Sequence, residues 1–157
     1  MTGRLGAAEA FLFDTSALAK RFVQESGSER VVEICHGAAP ETLWISQLAP
    51  LEMRSLLRLA SDTGRITQEQ AVRLRNDFGR VMRRGFQVWE FVPRDWSRAG
   101  EYIDRHALRP GDALQLAAAI SLHESLAPKR TAFVCSDRNL LRAANAEGMP
   151  TVDPVSG

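Results

Sequence analysis

The stretch Phe11-Leu12-Phe13-Asp14-Thr15-Ser16-Ala17-Leu18-Ala19-Lys20-Arg21-Phe22 decides the fold. Its first three residues are bulky and apolar on both alternating sides and too few for a helix. That is the pattern of a strand covered on both faces, as in a parallel sheet. The run stops at one carboxylate, Asp14. Thr15 and Ser16 then offer hydroxyls able to satisfy the unpaired donors of a first helical turn, which predicts a helix through Ala17, Leu18 and Phe22. A strand that passes directly into a helix leaves Asp14 at the carboxyl edge of the sheet, where open α/β folds bind ligands.

The same design recurs along the chain. Leu43-Trp44-Ile45 reads as a second strand, and from Ser46 a helix begins whose first turn tolerates Pro50, because that nitrogen needs no partner. Leu48, Leu56 and Leu59 are expected to form its inward stripe, with Glu52 midway between the first two on the same face. A charge there is costly unless paired or bound to metal. The alternative is a partly exposed residue at the helix start, favoured by the dipole. Residues 86–92 have the alternation of a third strand that Pro93 ends, and Arg94-Asp95 starts a helix through Ile103 and Leu108. Pro110-Gly111-Asp112 opens a helix so apolar on all sides over residues 113–120 that it must be buried. Asp112, in its first turn, is either a dipole-complementing cap or a site residue. Residues 131–135 form a fourth strand, and Ser136-Asp137-Arg138-Asn139 repeats the opening pattern of apolar strand, polar turn and helix. That helix runs to Glu147 and closes at Gly148, and Thr151-Val152 makes a last short strand.

Two further helices complete the pattern. One carries Val31, Val32, Ile34 and Cys35 and ends at Gly37. The other opens at Thr67-Gln68-Glu69-Gln70, a capping-box sequence, with Ala71, Leu74, Phe78, Val81 and Met82 inward. Its outer face carries Arg73, Arg80 and Arg84. Strands alternating with helices predict an α/β fold of three layers, helices on both sides of a mainly parallel sheet of four to five strands. A length of 157 residues with 45% hydrophobic content suits one domain over residues 1–157, with 1–9 as a loose lead-in.

In such a topology Asp14, Glu52, Asp112 and Asp137 all belong to one edge of the sheet. Four acids in one cleft repel one another, and the ordinary remedy is a hard divalent cation on oxygen ligands, with Mg2+ or Mn2+ fitting best. Such an ion can activate water and stabilise the leaving oxygen of a phosphodiester.

The formal net charge of +1 gives no global attraction to nucleic acid, so any such binding must be local. Between Met53 and Gly85 eight arginines face three acids, a local balance of +5. An arginine face of this kind is either a phosphate contact or simply solvated. Cys35 and Cys135 lack zinc spacing and the density of a secreted scaffold, which suits reduced thiols in a cytoplasm. No stretch approaches the length of an apolar membrane span, and residues 1–10 lack a signal-peptide core.

Four segments together resemble the PIN-domain ribonucleases, and among them the VapC-type toxins of bacterial toxin–antitoxin pairs. They are Phe13-Asp14-Thr15-Ser16-Ala17-Leu18, Leu51-Glu52-Met53, Gly111-Asp112-Ala113-Leu114-Gln115-Leu116-Ala117 and Cys135-Ser136-Asp137-Arg138-Asn139-Leu140. The resemblance implies metal-dependent cleavage of single-stranded or loop RNA, with Asp14, Glu52, Asp112 and Asp137 as catalytic, metal-binding acids. Ser16 resembles the family's hydroxyl that supports the first aspartate, and Thr15 and Ser136 are further candidate supporting hydroxyls; the resemblance also implies a small antitoxin partner and a homodimer. Two other readings remain: a housekeeping RNA-processing nuclease, and a PIN-like module that binds RNA or protein without cutting. A haloacid dehalogenase-type phosphatase is disfavoured because Ser16 stands where a second aspartate is required. A response-regulator receiver is disfavoured because Lys20 and Lys129, the only lysines, follow no suitable strand.

Overall fold

β1 (Ala10–Phe13) is the middle strand of a five-stranded, all-parallel sheet in the computed structural model, which describes residues 8–156. β2 (Leu43–Ser46) and β3 (Gln87–Trp89) lie on one side of it, and β4 (Thr131–Val134) and β5 (Thr151–Val152) on the other, in the order β3-β2-β1-β4-β5. β1 pairs in register with both neighbours, Phe11 opposite Leu43 and Ala132, Phe13 opposite Val134. The chain moves outward from β1 to β3 and then returns to β4. The strand order therefore reverses between β1 and β4, and this is where a crevice opens at the carboxyl edge.

Every residue of β1 is buried, and its alternating side chains enter two different cores. Phe11 and Phe13 pack with Leu43, Ile45, Ala132 and Val134 beneath α1 (Thr15–Ala19), α2 (Ser28–Gly37), α3 (Ala49–Asp62) and α4 (Gln68–Gly85). Leu12, Phe133 and Cys135 pack on the other side against α5 (Pro93–His106), α6 (Pro110–Leu126) and α7 (Arg138–Ala146). The result is the three-layer αβα arrangement expected from the alternation of elements. The Thr67/Gln70 capping box forms as expected, each side chain bonding the other residue's backbone N–H.

Several expectations are corrected. α1 stops at Ala19 rather than reaching Phe22, and Asp14, not a hydroxyl residue, is its N-cap position. The Thr15 and Ser16 hydroxyls donate to Glu52 and Asp14 instead of capping the helix. The third strand contracts to Gln87–Trp89, because the Phe91 N–H turns aside to the Gln47 side chain and Val92 becomes the N-cap of α5. On α3 the buried stripe is Ala49, Met53, Leu57 and Ala60, one step round from the one expected, and Leu59 is 61% exposed. Ala49, Met53 and Leu57 enter the core of Phe11 and Phe13, while Leu48 packs against the opposite core of Leu12 and Phe133. Of the lead-in expected at 1–9, residues 1–7 lie outside the described residues; Glu9 donates its N–H to the Arg130 carbonyl at 2.7 Å.

One buried acid belongs to the scaffold. Asp95 is fully buried, and its carboxylate accepts from Trp89 Nε1 at 2.9 Å, from the Val92 N–H at 3.0 Å and from the Ser121 hydroxyl. It ties the end of β3 to α5 and α6. Asp95→Ala would strand these donors in the core and is expected to cost about 3 kcal/mol in urea unfolding. A loss under ~0.5 kcal/mol would contradict this account.

Candidate active site

Each of the four acids predicted for the site reaches the carboxyl edge by a different route. Asp14 follows β1 directly, its N–H held by the Val134 carbonyl at 2.9 Å and its own carbonyl accepting the Leu18 N–H at 3.0 Å. Glu52 rides on the first turn of α3, Asp112 on the first turn of α6, and Asp137 sits at the N-cap of α7 after β4. All four line one cleft of about 400 Å³, together with Thr15, Ser16, Ser55, Leu56, Arg109 and Gly111. A Cβ on Gly111 would stand 3.5 Å from Glu52 Oε2, so the starts of α6 and α3 nearly touch.

Hydrogen bonds hold the acids from behind. The exposed Ser16 hydroxyl donates to Asp14 Oδ2. Thr15 Oγ1 donates to Glu52 Oε1 at 3.1 Å, and the fully buried Gln115 donates from Nε2 to the same oxygen at 2.6 Å and to Thr15 Oγ1 at 3.0 Å. Asp137 Oδ1 accepts the Leu140 N–H at 2.9 Å, so this acid caps its helix. Asp112, for which capping was the open alternative, has Arg109 as its side-chain partner, with Nε 3.3 Å from Oδ2.

Burial dominates the electrostatics. Asp14, 4% exposed, is pushed from an ordinary 3.8 up to about 7, first by desolvation and then by the Glu52 and Asp112 carboxylates, against the opposing Ser16 hydrogen bond. Glu52 is raised for the same leading reason, with Gln115 and Thr15 pulling the other way. An all-oxygen, mutually repelling donor set of this kind suits a hard divalent cation. As placed, no three acid, thiol or imidazole side chains among the described residues are arranged to hold one ion. Each acid is turned toward its own protein partner.

The structure gathers Thr15 and Ser16 with the acids but not Ser136, whose buried hydroxyl has no hydrogen-bond partner and does not line the cleft. Arg73, Arg80 and Arg84 are exposed on α4 and do not line it either. Arg80 and Arg84 border a pocket of about 640 Å³ with Leu43, Gly85 and Phe86, at the starts of β2 and β3 and so at the opposite edge of the sheet. Sequence reasoning missed Gln115 and Arg109 as site residues. Gln115 was detectable as a polar residue one turn after Asp112 in an otherwise apolar run; Arg109 stands three before Asp112.

A family model described as PIN domain matches residues 11–145. No curated protein matches the chain. Among solved structures, FitAcB from Neisseria gonorrhoeae is similar with a TM-score of 0.61 at 16% identity, covering 92% of this chain and 97% of that one. DNA-bound VapBC from Salmonella typhimurium gives a TM-score of 0.62 at 14% identity, covering 92% and 98%. A toxin–antitoxin complex from Klebsiella pneumoniae gives 0.57 at 20% identity, covering 92% and 98%.

Proposed function

Because the chain belongs to the PIN domain family, we propose that it is a divalent-metal-dependent endoribonuclease that hydrolyses phosphodiester bonds in RNA, and that it is the toxin of a toxin–antitoxin pair. The observation that carries this reading is the convergence of Asp14, Glu52, Asp112 and Asp137 on one cleft at the point where the strand order reverses. Asp14, Glu52, Asp112 and Asp137 would hold Mg2+ or Mn2+. The ion would supply an activated water and positive charge for the leaving oxygen of the phosphodiester.

The chain's own residues prepare the cleft. Gln115 and Thr15 hold Glu52 Oε1 and leave Oε2 toward the start of α6. Ser16 fixes the orientation of Asp14, whose raised pKa reflects how much burial beside other carboxylates disfavours its charge without a compensating positive one. Purified protein incubated with single-stranded RNA and Mn2+ is expected to cut internally, and not to cut in chelator. Absence of cleavage across a set of RNAs in Mn2+, or cleavage indifferent to chelator, would overturn the reading.

The toxin–antitoxin nature of the Klebsiella pneumoniae neighbour supports a small antitoxin as partner. A homodimer, action in the cytoplasm and a single domain over residues 1–157 belong to the same proposal. No helix among the described residues is long and apolar enough to cross a membrane. Arg73, Arg80 and Arg84 are proposed to contact RNA phosphates away from the scissile bond. Changed together to Gln, they are expected to weaken RNA binding and flatten its salt dependence while leaving turnover at saturating RNA unchanged. An unchanged salt slope would assign that face to solvation.

A further inference from the structure

We propose that Arg109 is a phosphate-contacting residue of the acid cleft that is parked on Asp112 until a cation claims that carboxylate; this rests on the nuclease reading above. Arg109 is the one cationic side chain lining the cleft among the described residues, facing four carboxylates. Its side chain is 81% exposed against 18% for Asp112, so the guanidinium projects over the cleft mouth while the carboxylate sits inside. Only Nε faces Asp112, at 3.3 Å, which leaves the terminal nitrogens free of any hydrogen bond to that carboxylate. A guanidinium fork so presented matches the paired oxygens of a phosphate.

The position is fixed by the backbone. Pro110 holds Arg109 extended, with φ −69° and ψ 153°, at the N-cap of α6, so its side chain leaves from the rim of the helix start. A single contact at 3.3 Å whose arginine side is in solvent is weak and easily exchanged. Beside the carboxylates the arginine offsets part of their mutual repulsion, and its charge pulls against the raised pKa of Glu52. A cation held among the carboxylates would compete with Arg109 for Asp112 and would leave the guanidinium available to the substrate backbone. One residue thus competes with the metal for Asp112 and cooperates with it on the phosphate.

The two roles oppose each other in a measurable way. Arg109→Ala is expected to bind Mn2+ about three- to tenfold more tightly in direct titration, because a positive charge a few ångströms from the site is gone. In the Asp14→Asn background with Mn2+, where RNA is bound but not cut, it is expected to bind a short single-stranded oligoribonucleotide about tenfold more weakly, with a salt slope smaller by roughly 0.7. Arg109→Lys should keep the slope and recover only part of the affinity. Melting temperatures within ~2 °C of the parent would exclude a folding defect. If Arg109→Ala leaves RNA affinity and salt slope unchanged, the phosphate role is overturned; if Mn2+ affinity is unchanged or weaker, the competition for Asp112 is overturned. Failure of the nuclease reading looks different: the intact chain then cleaves no RNA, while the Mn2+ titration still reads the competition.

Discussion

Asp14→Asn is expected to lower RNA cleavage roughly a thousandfold, the scale of removing one charge-stabilising group from a site, while raising the melting temperature in chelator at pH 8 by roughly 5 to 10 °C. The two effects have one cause. Asn keeps the shape, and its carbonyl oxygen still accepts from Ser16, while the backbone bonds to Val134 and Leu18 hold the position. What disappears is the negative charge. In the native cleft that charge is buried beside Glu52 and Asp112, so a neutral amide relieves strain that only a bound cation would otherwise relieve. Cleavage in Mn2+ and melting in chelator, measured on the same preparation, check the claim. An inactive variant that melts lower would have lost activity through folding, and a variant that still cuts would remove Asp14 from the chemistry.

This inverse relation between activity and apo stability bears on how much of the site could be read from the sequence. The strands β1 and β4 were legible because each is an apolar run cut off by a polar turn with an acid, and the capping box at Thr67 because its two partners are local. The layers followed from alternation. What failed was placement that depends on contacts distant in sequence. The leucine spacing predicts Leu48, Leu56 and Leu59 as the α3 stripe, yet the buried face is Ala49, Met53, Leu57 and Ala60, because the core that α3 meets is built by Phe11, Phe13 and Phe78 from elsewhere in the chain. Which acid caps a helix was also decided by the backbone. Pro110 forces the residue before it into an extended conformation, so Arg109 takes the N-cap place and Asp112 is carried into the first turn, where its carboxylate meets the Arg109 side chain instead of capping the helix. Asp137, with no proline after it, is itself extended and caps α7. Gln115 stands out locally as a polar residue in an apolar run, but its role does not: its partners Thr15 and Glu52 lie 100 and 63 residues away, and no local pattern reports them.

The pH dependence of stability without metal is the second large effect. Asp14 titrates near 3.8 in the unfolded chain and at about 7 in the fold. Below the lower value both states hold the proton, and the native state bears no penalty. Between the two values the unfolded chain ionises while the native chain does not, so stability falls by about 1.4 kcal/mol per pH unit. Above about pH 7 the loss levels off near 4 kcal/mol for this one group, as an upper bound. Glu52, raised as well, acts with the same sign. Glu147 acts oppositely: burial pushes it up, but bonds from His106 and Arg105 outweigh that and hold it below its usual range. Its contribution is lost as pH falls. The comparison must therefore be a difference. Urea unfolding in chelator at pH 5 and pH 8 is expected to show wild type losing about 2.5 kcal/mol more than Asp14→Asn across that interval. Mn2+ at ~100 times its dissociation constant should return roughly 2.7 kcal/mol to wild type, and more at pH 8 than at pH 5, where protons compete for the same oxygens. Parallel pH profiles for the two proteins would mean that Asp14 ionises normally in the fold, and the account of a buried, charge-starved cleft would fall with it.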